Sequence, residues 1–295
     1  MGAFLRRGQF GLGDRLQEPA RTAVVAFLDL EMTGLDPARD QVCEVAVVRA
    51  RGQALEREFQ SLVRPTVRMT AGARRVHQIS DEMLAGAPAF SEIAGPLLEI
   101  IGDAIVISHN VAHDLEFLHR EFGRAGIPWA EELSVDTLLM ARRLFAFPKN
   151  NLAAVCESLK VPTQGGHRAL ADARATYQLW HRMLEVLDPG GGMTLGELLE
   201  LVGALAPNSP LRLAQQRQLK ESYRHQRTVW IEYATADARG VELHRREIGI
   251  WHLKLPYIQA WCFLREGERV FRLDRVRAVE GGARPYAIPP FQRKI

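Results

Sequence analysis

An apolar run, Ala23-Val24-Val25-Ala26-Phe27-Leu28, ends in Asp29-Leu30-Glu31 and passes at once into Thr33-Gly34-Leu35-Asp36-Pro37. The β-branched and aromatic residues make the run a strand that stops at a turn. Because side chains alternate along a strand, Asp29 and Glu31 fall on one face. Two carboxylates converging at a half-buried strand end repel each other. The usual relief is a shared proton or a divalent cation with hard oxygen ligands, Mg²⁺, Mn²⁺ or Ca²⁺. Taken alone, the pattern reads equally well as a turn-forming Asp29 beside a solvated Glu31, so the remainder of the chain has to decide.

With 295 residues the chain has room for two domains, and its 47% hydrophobic and 25% charged composition is that of an ordinary globular protein. No apolar stretch approaches the ~18 residues of a membrane span. Residues 1–21 carry Arg6, Arg7, Arg15 and Arg21 without an apolar core, which reads as a flexible arm and not a secretory signal. Cys43, Cys156 and Cys262 lack close spacing, so they read as reduced core residues of a cytosolic protein. The net charge of +3 is unevenly spread: residues 194–295 hold 17 Lys+Arg against 11 Asp+Glu, a net of +6. A basic C-terminal third beside a carboxylate-rich remainder points to a polyanion held by one portion and processed by the other.

Asp188-Pro189-Gly190-Gly191-Gly192 interrupts every regular pattern and marks a linker over 188–193. Before it, strands are expected at about 24–30, 42–49, 57–63 and 104–108, with helices from Ser91 and at about 114–125, 136–145, 151–159 and 169–187. This order makes a mixed α/β sheet covered on both faces. After the linker come helical stretches at 194–204 and 211–226, then strands at 228–233, 242–250, 257–264 and 269–273. Several short strands in so few residues predict a small β-barrel.

Two further segments carry chemistry. One is Ser108-His109-Asn110-Val111-Ala112-His113-Asp114, where a strand gives way to a helix. The other is Gly165-Gly166-His167-Arg168-Ala169-Leu170-Ala171-Asp172, in which a loop presents a histidine and the next helix an aspartate. Asp-x-Glu after a first strand, Asn-x3-Asp before a helix and His-x4-Asp at the last helix together resemble the DEDDh, or DnaQ-like, exonuclease family. Val76-His77-Gln78-Ile79-Ser80-Asp81 and Val135-Asp136-Thr137-Leu138 also look like family segments.

The resemblance covers about residues 22–187 and implies an RNase H-like fold. It also implies two divalent cations, Mg²⁺ or Mn²⁺, held by Asp29, Glu31, Asp114 and Asp172, with His167 as general base. Imidazole suits that role because it titrates near neutrality. Thr33, Gly34 and Leu35 are then expected to line the groove for the terminal nucleotide, Leu35 wedging against a base, with His77 and Asn110 near the same groove. Where many members have phenylalanine before the second-motif aspartate, this chain has His113. It is counted as a nucleic-acid contact.

Residues 227–283, preceded by a helical extension over 194–226 and followed by a tail over 284–295, resemble the WYL domain, a small Sm/SH3-like barrel. Pro256-Tyr257-Ile258 stands at the naming tripeptide, and Phe271-Arg272-Leu273-Asp274-Arg275 closes the segment. The resemblance points to Tyr257, Arg272 and Arg275 as a nucleic-acid site, with Arg245 and Arg246 extending it. Arg272 and Arg275 would face opposite ways on a regular strand and share a ligand only at a bulge or a strand end.

These readings point to a cytosolic or nucleoid-associated exonuclease of DNA, preferring single strands, with the 3′–5′ polarity implied by the DnaQ-like resemblance. It would release nucleoside monophosphates in repair or proofreading, beside a polymerase or repair partner and away from membranes. RNA or mismatched duplex ends are alternative substrates, and RNA 3′-end trimming is the alternative enzyme. A nucleic-acid or nucleotide sensor with minor hydrolysis is the alternative of another class.

Overall fold

The computed structural model describes residues 12–131, 133–163, 167–204, 209–237 and 240–289. The chain divides into two compact units. One comprises residues up to Leu139 with Lys149–Leu198, the other Met140–Pro148 with residues from Leu199 onward.

In the first unit α1 (Leu12–Leu16) precedes β1 (Val24–Met32), β2 (Val42–Arg51) and β3 (Ala54–Leu62). Then come α2 (Ala71–His77), α3 (Asp81–Ala85), α4 (Phe90–Ile101), β4 (Ile105–Ser108), α5 (Val111–Arg124), β5 (Ser134–Asp136), α6 (Thr137–Leu144), which belongs to the second unit from Met140 on, α7 (Leu152–Ser158) and α8 (Ala169–Leu187). The sheet order is β3-β2-β1-β4-β5. β1, β2 and β3 are antiparallel, while β4 and β5 continue parallel to β1. The mixed sheet expected from the pattern is therefore present.

The two faces of β1 have separate tasks. Val24, Ala26, Leu28 and Leu30 join Phe90, Ile93 and Leu97 of α4 and Leu115, Leu118 and Phe122 of α5 in one core. On the opposite face Phe27 meets Tyr177 of α8 edge-on at 5.4 Å. Asp29 and Glu31 follow Phe27 at two-residue spacing, so the strand carries them to the α8 side, where Asp172 lies in the first turn.

Residues 12–21 do not form a free arm. Pro19 bridges Thr194, and the Arg21 guanidinium donates to the carbonyls of Leu184 (3.2 Å) and Asp188 (2.5 Å). The glycine-rich stretch is also held, because the Asp188 carboxylate accepts from Gly191 N (3.0 Å) and Met193 N (2.8 Å).

The second unit contains α10 (Pro210–His225), β6 (Arg227–Asp237), β7 (Gly240–Lys254), β8 (Tyr257–Cys262), β9 (Gly267–Arg272), a 3₁₀ turn (Leu273–Arg275) and β10 (Val276–Pro285). α9 (Leu195–Ala204) spans the boundary between units. The strands make an antiparallel sheet, β10-β6-β7-β8-β9. The expected run of short strands is present, and among the described residues the outer strands β9 and β10 do not pair with each other. After β9 the 3₁₀ turn returns the chain to β6. α10 lays Leu219 against Val229, Ile231, Ile248, Ile250 and Ile258 of the sheet. Beside Leu219, the buried Arg212 donates to the carbonyls of Leu273 (2.8 Å) and Val276 (2.5 Å) around that turn.

Candidate active site

Ligand oxygens of Asp29, Glu31 and Asp172 lie within 4.8 Å of one another. Their ionisation is disfavoured. Burial raises Asp29 well above the usual carboxylate range, and the charges of Asp114, Asp172, Glu31 and Glu44 push it further. Glu31 rises to about 8, first from burial, then from Asp172, Glu44 and Asp114, with Arg168 opposing. Burial also raises Asp172, while the charge of His167 and its backbone N–H act in the other direction.

Asp114 is outside the trio but within charge range of Asp29. It enters from the first turn of α5, where its Oδ2 accepts the Ser108 hydroxyl. Burial lifts it to about 7 against that hydrogen bond, with Asp136 adding to the rise. The start of α5 is pinned by the Asp136 carboxylate, whose Oδ1 takes Asn110 N at 3.1 Å and Leu138 N at 2.8 Å. Asn110 itself adopts a left-handed conformation (φ 91°). His113 is half-buried and meets Phe117 edge-on at 5.2 Å. His167 is exposed, with φ 61°. Gly165 and Gly166 lie outside the described residues.

Next to the trio stands a carboxylate that sequence reasoning missed. Glu44 is opposite Glu31 in the β1–β2 register and fully buried. It accepts Arg168 Nη2 (2.7 Å), Arg168 Nε (3.1 Å), Ala169 N (3.1 Å) and Gln60 Nε2 (2.8 Å). Burial would raise this group, yet the hydrogen bonds from Arg168, Ala169 and Gln60 hold it below its ordinary value. Arg168 sits between His167 and α8, so this clamp fixes the segment from which both His167 and Asp172 emerge.

The Thr33–Asp40 loop is closed by Asp40. Its Oδ1 accepts the Thr33 hydroxyl (3.2 Å) and its Oδ2 accepts Asp36 N (2.9 Å). A Cβ at Gly34 would come within 2.3 Å of that carboxylate, so the close approach requires glycine. Leu35 is left 83% exposed. His77, by contrast, is 3% exposed. Its Nδ1 accepts Ile79 N at 3.1 Å, and burial holds it below the usual histidine value against a hydrogen bond to the Met32 backbone. The ring lies beside Cys43 Sγ and the Met32 backbone at the end of β1.

Residues 26–180 match the Exonuclease family, RNase_T, and residues 215–280 match the WYL domain. The chain belongs to the exonuclease family. It is 32% identical to the DNA polymerase III subunit epsilon of Aquifex aeolicus over 161 residues, covering 54% of this chain and 80% of that protein. Against the Rickettsia felis epsilon subunit the identity is 39% over 155 residues, 50% of this chain and 68% of the relative. The PolC-type DNA polymerase III of Thermotoga maritima is 30% identical over 218 residues, 72% of this chain but only 16% of that much longer relative. In fold, exonuclease I aligns with a TM-score of 0.53 over 87% of this chain and 64% of that one, at 13% identity.

The donor set of this exonuclease fits divalent cations. Asp29, Glu31 and Asp172 offer only oxygen, and burial and mutual repulsion leave them short of positive charge. In the WYL unit, Arg272 ends β9 and Arg275 ends the 3₁₀ turn, which is the strand-end arrangement that lets both leave the regular alternation. The structure commits both to internal partners. Arg272 holds Asp274 bidentately at 3.1 and 2.6 Å, and Arg275 donates to the Phe147 carbonyl at 2.8 Å. Arg245 pairs with Glu280 at 2.6 Å and lies over the Trp230 ring. Tyr257 is 54% exposed, and Arg246 is half-buried.

Proposed function

We propose that this exonuclease shortens DNA from the 3′ end, preferring single strands and releasing nucleoside monophosphates, while its WYL unit holds the single strand. The observation that carries this reading is the oxygen-only trio of Asp29, Glu31 and Asp172, set on one strand face and one helix of an exonuclease-family chain.

Asp29, Glu31, Asp172 and, from α5, Asp114 would hold two divalent cations, Mg²⁺ or Mn²⁺. When bound, such ions neutralise the scissile phosphate and favour ionisation of the attacking water. The protein does the rest. His167 accepts a proton from the attacking water, steadied by its backbone N–H on the Asp172 carboxylate. The Thr33–Leu35 loop, with Leu35 exposed, receives the terminal nucleotide; Asn110 and His113 flank the start of α5. Linkage to a second binding unit raises effective concentration on long strands, because the second contact becomes intramolecular. The epsilon-type relatives fit a role in proofreading or repair beside a polymerase or repair partner.

The test is a denaturing gel of 5′-labelled single-stranded DNA and matched RNA with Mg²⁺, Mn²⁺ or chelator. A metal-dependent ladder shrinking from the DNA 3′ end is expected. Shortening of RNA alone would reassign the substrate, and intact strands of both kinds would defeat the enzyme reading.

A further inference from the structure

Arg272, Arg275 and Arg245 are engaged within the protein, whereas α10 carries cations with no ion-pair partner among the described residues. That helix turns Arg212, Gln215, Leu219 and Ser222 into the unit. On the other side, Leu213, Arg217, Lys220 and Arg224 recur at spacings of three and four, which aligns them in one stripe. Arg217, Lys220 and Arg224 are exposed and make no ion pair among the described residues. Glu221 is the one acidic residue in α10. Two shallow depressions meet at Lys220. The first, of about 470 Å³, is lined by Leu213, Gln216, Arg217 and Lys220. The second, of about 510 Å³, runs from Lys220 past Tyr223 and Arg224 to Leu253 and Leu255.

We propose that this α10 groove is where the WYL unit holds single-stranded nucleic acid, with Arg217, Lys220 and Arg224 on successive phosphates and Tyr223, Leu253 and Leu255 against the bases. This deepens the reading above and rests on it for the choice of ligand. Unpaired guanidinium and ammonium groups can contact phosphate without first breaking an internal ion pair. Arg272 and Arg245 would have to surrender Asp274 and Glu280. A basic track with an aromatic and an apolar wall suits single strands of any sequence, since every base has a stacking face and every nucleotide a phosphate. A membrane surface is disfavoured because the stripe itself is cationic and carries a single exposed leucine at its head, Leu213, among the described residues.

The test is fluorescence anisotropy of a labelled 30-nucleotide DNA, and the matched RNA, on the full chain in chelator so that hydrolysis plays no part. The Arg217→Ala/Lys220→Ala/Arg224→Ala variant is expected to bind both at least tenfold more weakly at 0.1 M salt. Its log K against log[salt] slope should fall by about two, at about 0.7 per single-strand phosphate contact. A control that removes equal charge elsewhere, Arg51→Ala/Arg57→Ala/Arg120→Ala, should keep most of the affinity, because those exposed arginines already pair with Glu56, Glu99 and Glu116.

Equal losses in both variants would reduce the effect to overall charge and overturn the groove. So would unchanged affinity in the α10 variant beside a loss in Tyr257→Ala, which would leave nucleic-acid holding to the Tyr257 face. Loss of phosphatidylserine-vesicle binding with nucleic-acid affinity intact would likewise overturn it, in favour of a lipid surface. If α10-dependent binding is seen but no strand is shortened in the gel assay, the exonuclease reading fails and the groove stands.

Discussion

Glu31 and Glu44 face each other across β1 and β2, both buried, and their acidities move in opposite directions. Around Glu31 the charges are those of Asp172, Glu44 and Asp114, against which Arg168 is a weaker counterweight, so its charge meets mostly like charge and its proton is held. Around Glu44 they are the Arg168 guanidinium, a helix N-terminal N–H and an amide, so the charge is welcomed. Burial alone therefore does not decide what a carboxylate does. A cluster left short of positive charge is a place for added cations, and a carboxylate already saturated with donors is a place to hold a chain segment still. Here the saturated group fixes the segment that supplies His167 and Asp172 to the unsaturated one.

The sharpest way to break this contrast is to remove one charge from the cluster. Asp29→Asn should lower turnover of single-stranded DNA by at least a thousandfold, while metal-free stability holds or improves because the amide replaces a buried carboxyl whose ionisation its neighbours oppose. Initial rates and thermal melts of the same preparation check both halves. Near wild-type turnover would remove Asp29 from the machinery. A large loss of stability would show that the carboxylate is a structural acceptor like Glu44.

Glu44→Gln probes the other side. The amide still accepts hydrogen bonds, but it presents no charge to Arg168 and cannot accept at both positions where the carboxylate does. The expected cost is about 2–3 kcal/mol of stability, read by denaturant unfolding. Turnover should fall roughly ten- to a hundredfold with little change in KM, since a misplaced reacting group costs on that scale. Arg168→Lys should reproduce part of the loss, because an ammonium cannot match the two-pronged contact. If KM rose while kcat held, the clamp would be shaping substrate binding and not the position of His167 and Asp172.

The difference in legibility between these two carboxylates has a physical basis. Asp29 and Glu31 were readable because strand period is local: an apolar run of that length fixes the face on which both residues fall. Glu44 was not, because its partner Arg168 lies 124 positions away and only the fold brings them together. β5 is three residues long and shows no period of its own; it exists through its pairing with β4. Closure of the barrel was not legible for a related reason. Strand count and spacing are local properties, while closure depends on whether β9 and β10 meet, and the 3₁₀ turn sends β10 to β6 instead. Arg272 and Arg275 were legible as residue types at a strand end, but their partners Asp274 and Phe147 were not.

The smallest expected effect is also the one that separates the two carboxylates by pH. Glu31 has a folded-state value raised to about 8 from the ordinary 4.5, and Asp114 one raised to about 7 from 3.8. A raised carboxyl binds its proton more tightly when folded, so its contribution is complete at low pH and is lost as pH climbs through the folded value. Glu44 is lowered, so its contribution is present at neutral pH and is lost only in acid, as pH falls through its folded value. Between pH 6 and 8 the metal-free protein should therefore lose a few degrees of melting temperature through the cluster while the clamp stays silent. Buried His77 and His181 have lowered values and act in the opposite sense at the acid end of this window. The informative quantity is thus the difference between wild type and Glu31→Gln, which share those histidines. That difference should widen toward pH 8 and close when millimolar Mn²⁺ or Mg²⁺ is added, because a bound cation removes the cost of ionising the cluster. A difference that stays flat from pH 6 to 8 would mean that Glu31 is already ionised without metal, and that the contrast with Glu44 is one of position only.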